Sequence, residues 1–513
     1  MANNVGRQLL IGLDAMEWNL VERWAAEGKL PTFQRLLKEG LHGKLKTTSA
    51  QLPDTVWASI CTGANPGKFE KYFYAQYDPG SGNLETVPDD AIHGVPFWKY
   101  LSESGKRVSI VDVPKFSLSQ GVNVLHLTNW GAHATKTARA SSPESLLGDI
   151  DRLFGRHPVG DCDAVDEKPG ALRDLRQRIL AGVRSHGELF RWLMEKEQWD
   201  IFFAGFSAPH CIGHHFWHYM DPGHPRHNPL DPHKLNDTIE VIYRALDDEI
   251  AEMLALAGNN IQCLIMAGHG MGPLYHASWN LNEILDLLGY GQASKRNLTA
   301  QKSRQARANP WRLLKMVLPG KVQYAIKEAL PKRLQDELIF RWYAGDRNWA
   351  GRRAFAIPNN DSVGAIRINV VGRDRYGVVQ PGEEYERVCH EIADALYEII
   401  DPESGRNVVK YVTFTHQEFQ GPYLHRLPDL TVLWDQSFHW DSVQSARLGT
   451  LRLRRQDARS GSHTPHGFLL MHGLRVPAGR AVYGCSIYDI APTVLQLAGV
   501  PIPSHMDGNP LDL

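Results

Sequence analysis

Short apolar runs alternate along the chain with longer stretches whose apolar residues recur every three or four positions. Residues 8–13 are a near-continuous apolar run that ends at Asp14, the pattern of a central parallel strand buried on both faces. Helical spacing follows at Trp18–Ala26 and Pro31–Glu39, the second opening with proline and closing at Gly40. Residues 43–47 read as a strand. Asp54 and Thr55 then stand as polar caps before a helix starting at Val56. A helix is expected over 97–104 and a strand over 107–113, whereas 116–170 reads as irregular and polar. A long amphipathic helix over 172–197 leads into a buried strand over 199–206. A histidine- and proline-rich stretch, 208–234, cannot be regular throughout. Helix returns at 235–257, and Ile261–Ala267 is again a buried strand, followed by Gly268 and His269. Further on, 364–369 and Leu430–Trp434 read as strands, and 383–400 and 488–498 as helices. There is no internal repeat. Strand–helix alternation of this kind predicts an α/β fold, a doubly wound and mostly parallel sheet flanked by helices.

The stretch 293–353 breaks this pattern. It holds about 15 Lys and Arg against about 4 acids, with apolar residues at helical spacings. We expect a basic helical insertion over 293–353 that caps a core made of 1–292 and 354–513. Across all 513 residues the charges nearly cancel, at net −1, which argues against a nucleic-acid polymer as partner. No apolar run reaches the roughly 18 residues of a membrane span, and 9–13 is too short for a signal-peptide core, so a cytoplasmic location is expected. The six cysteines are scattered singly, so neither a disulfide framework nor a zinc ribbon is indicated.

Histidine changes the picture more. There are 23, densest after the strand at 199–206. His210 and His214 are four residues apart, the spacing that turns two imidazoles toward one metal from one helical face. A loop of surface histidines would carry the same spacing. Asp14 and His269 end two other buried strands, where ligands gather in open α/β sheets. Each has a plain alternative: an acid capping the next helix, or an imidazole bonding a carbonyl. His463 lies among small residues just before another apolar run.

Taken in order, these segments resemble the type I phosphodiesterase/nucleotide pyrophosphatase branch of the alkaline phosphatase superfamily. The resemblance runs through Gly12-Leu13-Asp14-Ala15, Leu30-Pro31-Thr32-Phe33, Trp57-Ala58-Ser59 with Thr62-Gly63 and Asn65-Pro66-Gly67-Lys68, then His210 to His218, His269-Gly270-Met271 and Gly461-Ser462-His463. It ends at Asp489-Ile490-Ala491-Pro492-Thr493 and Met506-Asp507-Gly508. It implies an alkaline phosphatase-like fold and a metal-dependent hydrolase or transferase of phosphomonoester or phosphodiester substrates. It further implies one or two divalent ions, zinc first and manganese or iron as alternatives, with a hydroxyl nucleophile at a helix N-terminus. Carried over, one metal takes His210, His214 and His463, and the other takes Asp14, His269 and the oxygen of Thr55, which is also the expected nucleophile.

The sequence departs from the family pattern at four places, one being Phe69-Glu70 where His-Gly often follows Pro-Gly-Lys. His210 stands where the family usually has Asp, and Gly268 where it usually has Asp. Pro53 occupies the usual place of the hydroxyl, leaving Thr55 as the nearest one. Asp54 and Asp221 are the acids considered as replacements. The basic insertion, with Arg352, Arg353 and Arg367, would meet an anionic small-molecule substrate through forked contacts; a solvated basic face is the plainer reading. Two other functions stay open: a rebuilt His-rich site on the same fold running a non-phosphoesterase reaction in a biosynthetic pathway, and a non-catalytic binding protein. Oligomeric state is also open, a homodimer included.

Overall fold

The apolar runs at 8–13, 199–206 and Ile261–Ala267 become neighbouring parallel strands at the centre of a nine-stranded sheet. In a computed structural model, residues 6–513 are described apart from 89–93, 120, 122, 132–137, 161, 163–164, 275–276, 292–328, 345–347, 361, 455–457 and 475. Across the sheet the strands run Arg480–Val482, Leu41–Leu45, Gly467–Gly473, Ile261–Ala267, Arg7–Leu13, Ile201–Phe206, Val108–Val111, Val124–Thr128 and Ala140–Ser142. The five strands from Ile261–Ala267 to Val124–Thr128 are mutually parallel. Gly467–Gly473 and Ala140–Ser142 are antiparallel to their neighbours.

Period-two alternation splits the central strand between two cores. Leu9, Ile11 and Leu13 face one layer, which includes the helices Trp18–Ala26, Pro169–Lys196 and Thr238–Ala257. Leu10 faces the other, with Val56–Thr62, Phe97–Glu103 and Ile490–Leu497. Burial on both faces explains why these strands are apolar throughout rather than alternating.

The stretch 116–170 is more regular than its polar composition predicts. It supplies the strands Val124–Thr128 and Ala140–Ser142 and the helix Ser145–Leu153. These lie at one margin of the sheet, where short strands need little apolar sequence. The His-rich stretch 208–234 is regular only in its first part, the helix Ala208–Met220, and continues as turns. Pro209 is tolerated there because a first-turn N–H has no intrahelical acceptor to lose.

A separate antiparallel sheet, Ala354–Ala356, Val363–Ile368, Leu430–Trp434 and Val409–Phe414, packs its own core against Leu281–Leu287 and Glu383–Tyr397. Of the basic stretch 293–353, 293–328 and 345–347 lie outside the described residues. Lys332–Ala344 is helical, and its Phe340 packs in one cluster with Leu52, Tyr72 and Trp349. No described helix is long and apolar enough to cross a membrane.

Candidate metal centre

Three adjacent parallel strands end side by side and deliver three of the candidate ligands. Gly12 pairs with both Gly205 and Met266, so Asp14, the start of helix Ala208–Met220 and His269 emerge at one edge. The Asp14 N–H donates to Phe206 O at 2.9 Å. His463 arrives from far along the sequence on a short strand, Gly461–Thr464, paired antiparallel with Gly270–Pro273 so that His463 stands opposite Met271. That strand comes close to the helix. A Cβ on Gly461 would meet Gly213 O at 2.0 Å, so only glycine permits the approach. Ser460 N–H donates to His214 O at 2.8 Å, locking strand and helix together.

His210, His214 and His463 each bring a ring nitrogen within 4.8 Å of the others, and an Asp14 carboxylate oxygen and ring nitrogens of His210 and His269 form a second group of the same span. All five side chains are buried. The tautomers follow from the partners. His214 Nδ1 lies 2.8 Å from Gly461 O, a carbonyl that can only accept, so Nδ1 carries the proton and Nε2 keeps its lone pair. His210 Nδ1 lies 2.7 Å from Asp14 Oδ2, which likewise directs Nε2 inward. That nitrogen sits 3.3 Å from His463 Nε2. Two nitrogens bound to one tetrahedral zinc at about 2.0–2.1 Å stand about 3.3 Å apart. That separation suits a divalent ion that His210 and His463 would hold, and His214 brings a third ring nitrogen within 4.8 Å of theirs.

Asp14 serves the first cluster from behind. Its Oδ1 accepts the Trp57 Nε1–H at 2.9 Å while Oδ2 holds His210, the carboxylate–histidine support that orients metal-bound imidazoles. His269 Nε2 stands 3.8 Å from Asp14 Oδ1. Neither nitrogen of His269 makes a hydrogen bond, nor does Nδ1 of His463. Buried imidazoles without partners carry a desolvation cost that a bound ion offsets.

The electrostatics agree. Burial alone would raise the Asp14 carboxyl, but the charge and hydrogen bond of His210, then His269 and the Trp57 N–H, hold it well below the usual carboxylate range. Burial lowers His269, against the pull of Asp14. Burial, then the neighbouring His269, His210 and His214, lowers His463 far more. Neutral imidazole is the ligating form, so His269 and His463 are ready to bind at neutral pH.

The remaining sequence-derived candidates lie elsewhere or are otherwise engaged. Thr55 is buried at the start of helix Val56–Thr62, and its Oγ1 donates to Leu52 O at 2.8 Å beside Thr48 Oγ1 at 3.0 Å. Asp54 pairs with Lys115. Asp221 ends helix Ala208–Met220, accepting from Trp217 Nε1 and Gly223 N. Arg352 pairs with Asp286, and Arg353 with Glu384 and Glu391. Arg367 is fully buried, bonded to Asp374 and to the carbonyls of His425 and Leu427. Among the described residues, no contact links any of the three arginines to His210, His214, His269 or His463.

Gly268 has a physical reason. A Cβ there would meet Val56 Cγ1 at 2.2 Å and Ile60 Cδ1 at 2.7 Å, so helix Val56–Thr62 fills the room an acid would need. Sequence reasoning missed Trp57 as the partner of Asp14. It also missed Glu17, buried and bonding Met271 N and Thr464 Oγ1 on the two paired strands. Both act across long sequence separations, and only an acid or indole placed beside apolar neighbours hinted at them.

A doubly wound sheet with imidazoles and a carboxylate gathered at its strand ends defines a metal-dependent hydrolase of phosphatase-like architecture. The profile of the "Type I phosphodiesterase / nucleotide pyrophosphatase" family matches residues 8–467. The chain belongs to that family, whose members are metal-dependent hydrolases of phosphoester-type substrates. In fold it is similar to human ectonucleotide pyrophosphatase / phosphodiesterase 5, with 14% identity and a TM-score of 0.50, covering 98% of this chain and 97% of that one. It is also similar to the phosphonoacetate hydrolase of Sinorhizobium meliloti 1021 in complex with phosphonoformate, with 15% identity and a TM-score of 0.51 over 96% of each chain. At such identities the likeness is one of fold. No curated protein matches the sequence.

Proposed function

We propose that the protein cleaves or transfers a phosphoryl-type ester of a small anionic substrate, using a divalent metal held by His210, His214 and His463. The observation that carries this is the 3.3 Å separation of His210 Nε2 and His463 Nε2, with His214 in the same cluster. Asp14 and His269 offer a second, weaker position, since Asp14 is already occupied by Trp57 and His210. A bound divalent ion would polarise a phosphoryl oxygen and lower the pKa of the attacking oxygen. Zinc suits the imidazole-rich set best, with manganese and iron as alternatives.

The chain's own groups set the rest. Three neutral imidazoles leave an ion's charge uncompensated, and Asp14 offsets only one unit, so the centre favours an anionic substrate. Arg352 and Arg353 would reach that anion only by leaving Asp286, Glu384 and Glu391. Thr55 is the candidate nucleophile, and its attack requires Oγ1 to leave Leu52 and Thr48. That same engagement favours a second reading, in which the centre works without a covalent Thr55 intermediate.

Elemental mass spectrometry on protein purified without chelator or nickel resin tests the first reading. Metal near one equivalent, lost in His463→Ala, supports it. A metal-free wild type that takes up no zinc, manganese or iron on titration overturns it and leaves a binding role. Thr55→Ala then separates the two chemistries on bis(p-nitrophenyl) phosphate: near-complete loss means nucleophilic attack, and substantial turnover means the second reading.

A further inference from the structure

Cys162 and Cys211 are 49 positions apart, and nothing in their spacing links them. In the fold their sulfurs lie 2.9 Å apart, both buried. Cys211 is in the first turn of helix Ala208–Met220, directly after His210, and Cys162 lies between Ser145–Leu153 and Pro169–Lys196. The distance discriminates between chemistries. Two thiolates on one tetrahedral zinc, with Zn–S at about 2.3 Å, stand about 3.8 Å apart, so this pair is too close to share an ion. A disulfide is about 2.05 Å, about 0.9 Å closer than the observed contact. The same two segments meet again one helical turn on, where His215 Nδ1 lies 2.6 Å from Glu167 Oε1. Cys211 and His215 share a helix face, and Cys162 and Glu167 come from one stretch of chain, so a second contact holds the sulfurs in register, with the His215 ring bonding both Glu167 and the Cys162 thiol. The other four cysteines lie elsewhere in the fold, Cys61 and Cys485 in one apolar cluster and Cys263 and Cys389 in two others.

We propose that Cys162 and Cys211 form a reversible disulfide that staples the segment preceding Pro169 to the helix carrying His210 and His214. The oxidant is a small-molecule disulfide. One cysteine thiolate attacks it, forming a mixed disulfide and releasing one small thiol. The second cysteine then attacks the mixed disulfide and releases the other. The pair loses two protons and two electrons, and the small disulfide gains both as two thiols.

The full-length protein is equilibrated with oxidised glutathione or with dithiothreitol, denatured in an alkylating reagent and mapped by peptide mass spectrometry. The expected result is a Cys162–Cys211 linked peptide and four alkylated cysteines after oxidation, against six after reduction. The linked protein should also melt at a higher temperature, because the bond closes a long loop. Cys162→Ser and Cys211→Ser should each abolish the linked peptide and the redox-dependent melting shift, while Cys263→Ala retains both. Six alkylated thiols after oxidation, glutathione adducts that never close, or a link to another cysteine overturns the proposal. The readout counts sulfur bonds and not metal, so it fails or succeeds independently of the proposed activity.

Discussion

At the scale of single residues, the centre depends on side chains whose own partners fix them. Asp14→Asn keeps the shape but can no longer take a proton-bearing His210 Nδ1 as an anion. We expect metal affinity to fall roughly 10- to 100-fold, read by calorimetric titration of the metal-free protein, while His214→Ala should lose binding outright. Gly461→Ala places a methyl against Gly213 O. Overpacking of this kind costs about 1–3 kcal/mol, measured as a shift in the urea midpoint, and it should also weaken metal binding by moving His463. The candidate ligands could be picked out in the sequence, since Asp14, His210, His214 and His269 follow strands or sit at a helical spacing, and the fold brings their side chains together. Their supports were not. Trp57 and Glu17 reach the site through contacts that only the fold creates. The departure at Gly268, visible in the sequence as a missing acid, became intelligible only when Val56 and Ile60 were seen filling its place.

Among the elements, buried parallel strands were the easiest to read, because burial on both faces leaves a continuous apolar run. The helices Trp18–Ala26 and Pro31–Glu39 were equally plain, with proline and glycine marking the ends of the second. The strands Val124–Thr128 and Ala140–Ser142 were hidden by polar residues such as His126. That histidine carries a testable consequence. Burial lowers its imidazole to about 3, and burial followed by the neighbouring His186 lowers His157 to about 2. In the unfolded chain each titrates at about 6.5. Between about 6.5 and 3 the unfolded chain binds protons that the folded one refuses, so stability falls as pH falls through this window. The urea midpoint should drop from pH 7 to pH 5. His126→Asn, whose side-chain oxygen can still accept the Ser119 N–H now taken by Nδ1, should flatten that slope.

For the whole molecule, the alternation of strands and helices was enough to name an α/β sheet, but not the second, antiparallel sheet. Its strands are short, and buried Arg367, Asp374 and Asp429 form a charge network with the half-buried Arg373 inside it. An arginine on an apolar strand reads from sequence as a substrate contact, whereas here it is bonded within the fold. Removing one partner of such a network leaves the others buried and uncompensated, at a cost of about 3–5 kcal/mol. Arg367→Met should therefore lower the thermal midpoint without changing the metal content of the protein that remains folded.

The ligands span the chain from Asp14 to His463, and the last is pinned to the helix by Ser460 and Gly461. During synthesis, a ribosome that has not yet passed residue 463 holds a chain whose tri-imidazole cradle lacks one wall. Tight metal capture would thus wait until residue 463 had been made, and a product truncated or stalled before it would stay metal-poor however well its first half had folded.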